Sequence, residues 1–307
     1  MAAVAGWLRR AWGHDLAWSF RRSPVTIVAA LLTLVCVGGA LFAPWVAPHN
    51  PFDSATLNLS DGFTPPAWTE KGSAKYLLGT DDQGRDVLST IIYGARISLG
   101  VGLAAVLFSA ALGILLGLAA GYLGGRLDAF IMRVADIQLS FPAILIALLI
   151  DGVARIALPR ELHDALAIYV LVVAIGLSKW VDYARTVRGS TLVERNKEYV
   201  QAARVIGRHP VAIMVRHVLP NTMGPVLVLA TINVATAIIT EATLSFLGVG
   251  VPPTQPSLGT LIRIGNDFLI SGEWWITLFP GLALVVLVLS VNLLGDWLRD
   301  ALNPKLR

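Results

Sequence analysis

The chain has 307 residues, 55% of them hydrophobic and 14% charged, with a formal net charge of +4 and a mean hydropathy of +0.69. Soluble domains carry roughly 25% charged residues, so a single water-soluble core is excluded and a polytopic membrane protein is indicated. One cysteine, Cys36, excludes an intrachain disulfide and a cysteine-based metal site, and the five histidines show no paired ligand spacing.

Residues 1–24 combine Arg9, Arg10, Arg21 and Arg22 with Trp7, Trp12 and Trp18. Such a mixture favours the headgroup region, so an interfacial N-terminal lead-in is expected. The stretch 25–47 carries no charge and is long enough to cross a ~30 Å hydrocarbon core. It exceeds a signal-peptide core and is expected to be retained as the first transmembrane helix. Residues 48–94 are too polar to span and form a loop on one side. In that loop Gly79-Thr80-Asp81-Asp82 reads as a turn. From Arg85 onward Val87, Leu88, Ile91 and Ile92 share one helical face, predicting a short helix lying flat on the membrane surface.

The remainder, 95–297, holds five more apolar runs at about 98–123, 130–150, 165–183, 221–246 and 276–297, making six spans in an all-α protein. Gly113, Gly117 and Gly121 form a small-x-x-x-small stripe suited to close helix packing. Pro142 and Pro225 are candidate kinks. Orientation follows from the basic residues. Seventeen of the 24 lysines and arginines fall in 1–24, 124–133, 179–217 and 298–307, against six in 47–94, 151–164 and 249–275. The first set is therefore expected to be cytoplasmic, including both termini, and the 48–94 loop extracytoplasmic.

No lysine follows a glycine, which removes the GxxxxGK[ST] nucleotide loop, and there is no GxSxG elbow. No catalytic constellation or metal site is visible, so a non-enzymatic chain is expected. The better leads are polar residues inside spans. Asn233, Thr236, Thr240 and Thr243 share one helical face and read either as a polar translocation lining or as interhelical hydrogen-bonding groups. Glu241 reads as structural near the outer interface. Asp136 and Gln138 leave both readings open.

The longest polar interruption in the second half of the chain is Glu194–Asn221, with Arg195, Lys197, Arg204, Arg208 and Arg216. Val200, Ala203 and Ile206 recur at helical spacing, Gly207 breaks the run, Pro210 can open a second short helix, and Pro220 is expected to close it. A solvated loop would account for the charges. The Ala202-Ala203 pair and Gly207, set between apolar residues, suit a small helix lying deep in a partner's groove.

This stretch resembles the EAA loop of bacterial ABC importer permeases: Gln201-Ala202-Ala203, Gly207 four residues on, then Leu219-Pro220. Gln201 stands where that family carries an acid, and His217 where an aliphatic is usual. FRRSPVTIV, FAPWVAPHNP, LLGTDDQGRDVLSTIIYGARISL, EATLSFLGVGVPP, FPGLAL and NLLGDWLRDALNPKLR are similar to segments of C-type permeases in the dipeptide/oligopeptide and nickel branch. The resemblance implies a type I importer permease fold in the bacterial inner membrane. It implies a second homologous permease as heterodimer partner, two ABC ATPases that bind ATP and Mg, and an extracytoplasmic substrate-binding protein. No cofactor on this chain and no nucleic acid are implied. Glu198, Tyr199, Gln201, Ala202, Ala203, Arg204, Gly207, Leu219 and Pro220 become the implied ATPase-coupling residues. Within the branch the cargo is a dipeptide or oligopeptide, with glutathione or nickel complexes as alternatives. An ion-coupled secondary transporter, the other class weighed, predicts buried acids and an internal repeat, and the sequence offers few of the former and no convincing repeat.

Overall fold

A computed structural model of the protein describes residues 15–53 and 57–302; the expected lead-in over residues 1–14 and the last five residues lie outside the described part. Among the described residues the chain is all-α, with a lone antiparallel bridge between Thr80 and Asp86. Helix α1 (Asp15–Arg22) leads into α2 (Pro24–Leu41), opened by the Ser23 hydroxyl accepting from Thr26 N and by Pro24 in the first turn. After the loop come α3 (Val87–Leu123), α4 (Gly125–Leu139), α5 (Ala143–Ala157), α6 (His163–Glu194), α7 (Glu198–Val205) and α8 (Pro210–Ile213). The chain ends with α9 (Leu219–Phe246), α10 (Leu258–Asn266) and α11 (Trp275–Leu302).

Among the described residues five segments are long and apolar enough to cross a membrane: Pro24–Leu41, Val87–Leu123, His163–Glu194, Pro210–Phe246 and Trp275–Ala301. The expected third span is instead a pair, α4 and α5, bent by 97°. The break falls at Pro142, which has no N–H to continue α4 and whose ring disfavours helical backbone at the residue before it. Pro142 becomes the extended N-cap of α5.

The predicted short surface helix does not exist as a separate element. Val87, Leu88, Ile91 and Ile92 form the first turns of the 37-residue α3. The helix starts there because the Asp86 carboxylate accepts from Ser89 N at 2.9 Å and from Ser89 Oγ at 2.5 Å. It continues because nothing between Ile92 and Ser98 breaks it, and Gly94, Ala95 and Ser98 are buried against neighbouring helices.

The glycine stripe of α3 packs on α6. A Cβ added at Gly113 would lie 2.4 Å from Tyr183 Cβ, at Gly117 2.4 Å from Ala184 O, and at Gly121 2.7 Å from Thr191 Cβ. Main chain therefore meets main chain along two turns, around a core that includes Val106, Leu118, Ile175, Tyr183 and Val187. The lone pairs of Glu241 on α9 are spent on the same bundle. Its carboxyl is fully buried and accepts from Ser98 Oγ of α3 and from Ser245 Oγ, both at 2.7 Å, while Ser98 Oγ also accepts from Leu258 N at the start of α10. Glu241 is structural, tying three helices together at one end of the molecule.

That end also carries the loop before α3. Asp81 Oδ1 accepts from Gln83 N and Arg85 N, its Oδ2 pairs with Arg85 Nε at 2.6 Å, and both side chains are buried. Gly79 has φ +83°, and a Cβ there would collide with Thr64 O at 2.6 Å and the Trp275 indole at 2.9 Å. Trp275 Nε1 donates to Thr80 O at 3.0 Å, which fastens the loop to the start of α11. The Glu194–Asn221 segment sits at the opposite end, where α3 finishes: Arg195 Nη1 donates to Gly121 O at 2.8 Å.

Candidate functional site

The segment folds as anticipated up to Gly207. Helix α7 ends in a Schellman closure, with Gly207 N bonded to Arg204 O at 3.0 Å and Arg208 N to Ala203 O at 3.1 Å. Gly207 takes φ +76°, the left-handed value that this closure needs and that a side chain resists. His209 Nδ1 then accepts from Val211 N, and Pro210 opens α8. Beyond it the reading changes. Met214–Val218 forms a π-helical turn that runs straight into α9, so Pro220 does not close anything; it lies inside the continuous Pro210–Phe246 helix, directly after the widened turn that accommodates it.

One face of α7 is fixed to the bundle. Val200 and Ala203 are buried in the main core beside Ile213 and Val218. Arg204 sits over the Tyr122 ring at 5.1 Å, joining α7 to the end of α3. Tyr199 is the busiest contact: its hydroxyl donates to Glu194 at the end of α6 and accepts from Asn221 Nδ2 at 3.1 Å, while Asn221 Nδ2 also reaches His217 O at 2.7 Å. The Tyr199 phenol is pushed up to about 12, first by burial and then by its bond to the Glu194 carboxylate.

The opposite face is bare. Glu198, Gln201, Ala202, Gly207 and Arg208 are exposed, and Val205 and Ile206 stand 87% and 72% open at the tip. A Cβ at Gly207 would meet nothing within 4 Å. The two alanines are therefore not one patch. Ala202 faces outward, whereas Ala203, one position on and about 100° round the helix, is packed inside. Leu219 is half-buried against the core and Pro220 is exposed.

Over residues 113–307 the sequence matches the family model described as binding-protein-dependent transport system inner membrane component. The chain belongs to that family. Residues 10–66 of the permease match a second model, the N-terminal transmembrane domain of oligopeptide transport permease C. The permease is 42% identical over 289 residues to the di/tripeptide transport system permease protein DppC of Pseudomonas aeruginosa, covering 94% of this chain and 91% of that one. It is 40% identical to the dipeptide transport system permease protein DppC of Haemophilus influenzae, covering 94% and 93%, and 42% identical to that of Escherichia coli K12, covering 94% and 91%. Among solved structures it resembles a chain of the MetNI methionine ABC transporter, with TM-score 0.53 and 20% identity, over 70% of this chain and 96% of that one. That likeness bears on the fold alone.

The polar residues of the fifth span divide. Asn233 is buried facing the Tyr183 hydroxyl of α6. Thr236, Thr240 and Thr243 each donate their hydroxyl back to a carbonyl four residues earlier in α9, at 3.2, 2.8 and 2.8 Å. Asp136 pairs with Arg185, and Gln138 bonds Leu177 O and the Trp180 indole, so both fasten α4 to α6. The sequence reading missed the Tyr199 contacts. Their signal was present as a tyrosine five residues after Glu194 and as Asn221 four after His217, but only the fold brings the two pairs together.

Proposed function

We propose that this chain is one permease subunit of an ABC importer that moves dipeptides or oligopeptides into a bacterial cell. It acts as a heterodimer with a second, homologous permease, beneath an extracytoplasmic binding protein. Two ABC ATPases on the other side bind ATP and Mg and supply the energy. The excess of lysine and arginine at the Glu194–Asn221 end supports a cytoplasmic location for that end and for both termini. The dipeptide permeases at 40% identity or more over 94% of the chain support the cargo.

The observation that carries the coupling reading is the two-sidedness of α7. Tyr199, Val200, Ala203 and Arg204 hold it to the bundle, while Gln201, Ala202, Val205 and Ile206 are left bare. An isolated eight-residue helix is not stable in water, so one held by a single face is preformed for a groove on another chain. A nucleotide-driven movement of that groove would reach α6 through Glu194 and α9 through Asn221 as rigid-body rocking. Gln201 contributes no charge to this contact, so Glu198, exposed on the first turn, is the acid available to the partner. The test is copurification after coexpression with the ATPases. The native chain should bring down both ATPase chains, and Ile206→Glu should lose them while keeping the second permease. Retention of the ATPases by Ile206→Glu would remove the docking surface from this face.

A further inference from the structure

The loop end contains a cleft that neither the coupling reading nor the family assignment uses. It encloses about 470 Å³ between α3, α6 and the loop after α9, walled by Phe52, Tyr93, Arg96, Ile168, Thr254 and Gln255. A second hollow of about 350 Å³ adjoins it through Phe52 and Thr254 and reaches Gln83 and Arg85. Both volumes fall in the range of small-molecule sites, about 300–1,000 Å³. No aspartate or glutamate lines either hollow among the described residues.

Arg96 is exposed on α3 and enters no ion pair among the described residues. It stands nine residues into the helix, just before the apolar run that starts near Ser98, and so at the boundary where a solute leaves water for the permease. A solvent-facing guanidinium there, with no carboxylate beside it among the described residues, is open to an anionic solute. Arg85, by contrast, is held by Asp81, is 96% buried, and still has one nitrogen, Nη2, without a partner. The pair of hollows thus offers the Arg96 guanidinium, unpaired among the described residues, and the side chains of Thr254 and Gln255 between aromatic walls.

We infer that this cleft is an entry subsite for the peptide itself, with Arg96 receiving the C-terminal carboxylate. Guanidinium and carboxylate match as a two-pronged, charge-assisted pair. Thr254 and Gln255 supply bonds for the peptide amide, and Phe52 and Tyr93 give side chains of any size an apolar wall. The chemistry selects for a free carboxylate, not for a residue type, as a carrier of many peptides requires. Arg96 also borders an apolar hollow of about 540 Å³ against α2, so an anionic lipid headgroup is the competing occupant. The amide-bonding groups favour the peptide, because a phospholipid tail has no use for them.

The proposal rests on the peptide-importer reading, and its test separates the two. The complete importer, in nanodiscs of phosphatidylcholine without nucleotide or binding protein, is probed with dialanine and with dialanine amide by saturation-transfer NMR. Dialanine should bind at least tenfold tighter than its amide, Arg96→Gln should abolish that difference, and Arg96→Lys should keep most of it. Equal binding of the two probes, no binding of dialanine, or an unaltered preference in Arg96→Gln overturns the subsite. So does loss of the dialanine signal in phosphatidylglycerol nanodiscs, which assigns Arg96 to lipid, or loss of the second permease from Arg96→Gln, which assigns it to a subunit contact. Peptide uptake by the native importer in proteoliposomes is measured alongside. If uptake is absent while carboxylate-selective binding persists, the transport reading fails and the subsite stands.

Discussion

Gly117→Ala adds one methyl group where α3 and α6 touch main chain to main chain. The new Cβ would lie 2.4 Å from Ala184 O, 3.0 Å from Ala184 Cα and 3.0 Å from Val187 Cβ. Carbon–carbon contacts settle at about 3.5–4.0 Å, so the helices must part by about 1 Å. Two of the three obstacles are backbone, which no rotamer change can move. Overpacking of this kind costs about 1–3 kcal/mol, and every 1.4 kcal/mol is about a factor of ten in the folded ratio. Gly189→Ala, on α6 with nothing within 4 Å of its Cβ, is the matched control, and should gain up to about 1 kcal/mol from helix propensity. Heating detergent-solubilised protein and measuring the monodisperse fraction by size exclusion gives the comparison. Gly117→Ala should lose its folded fraction several degrees below the native chain, and Gly189→Ala should not. Equal midpoints for the two variants would refute the close α3–α6 contact.

Three further outcomes follow from named contacts. Tyr199→Phe removes the hydroxyl that joins α6, α7 and α9; one charge-assisted bond, discounted for partial exposure, amounts to about 1–2 kcal/mol. It should loosen α7 to protease without changing membrane insertion. Because the folded phenol is raised from the ordinary 10 to about 12, its neutral form is what the fold favours. That contribution is fully present below pH 10 and is lost as pH rises through 12. Difference absorbance at 295 nm should therefore lose a phenol ionising near 12 in Tyr199→Phe, and loss of one near 10 would contradict the clamp. Glu241→Ala leaves the Ser98 and Ser245 hydroxyls without their acceptor in a fully buried site and should cost about 2–4 kcal/mol in the same heating assay, with Glu241→Gln milder because one carbonyl oxygen remains.

Hydropathy made the architecture legible. Each apolar run but the third became a single helix, and the Gly113–Gly117–Gly121 spacing marked a real helix contact because small residues four apart necessarily share a face. What failed did so where composition changes but helical hydrogen bonding does not. Polar residues around Arg85 to Arg96 looked like a separate surface element, yet with Asp86 as cap and no breaker the backbone simply continues into the span. Pro220 looked like a stop, but the π-helical turn at Met214–Val218 just before it lets the helix run through. Conversely Pro142 looked like a kink and produced a 97° break. The same limits hold at the site. The Schellman glycine was readable, since Gly207 closes a run of helical spacing. That Ala203 turns inward and Ala202 outward depends on which face of α7 meets Val218 and Ile213, a tertiary fact. On the threonine face of α9, periodicity places each side chain but does not say that its hydroxyl turns back to the preceding turn.

In the proposed function the bare face of α7 is where energy enters the permease. Ala202→Glu and Ile206→Glu alter that face and leave Tyr199, Val200, Ala203 and Arg204 untouched. The decisive measurement is ATP-driven uptake of labelled dialanine into proteoliposomes holding the complete importer with either variant, alongside its membrane insertion and permease pairing. Insertion and pairing should match the native chain while uptake falls at least tenfold. Uptake at the native rate in both variants would contradict the coupling role of α7.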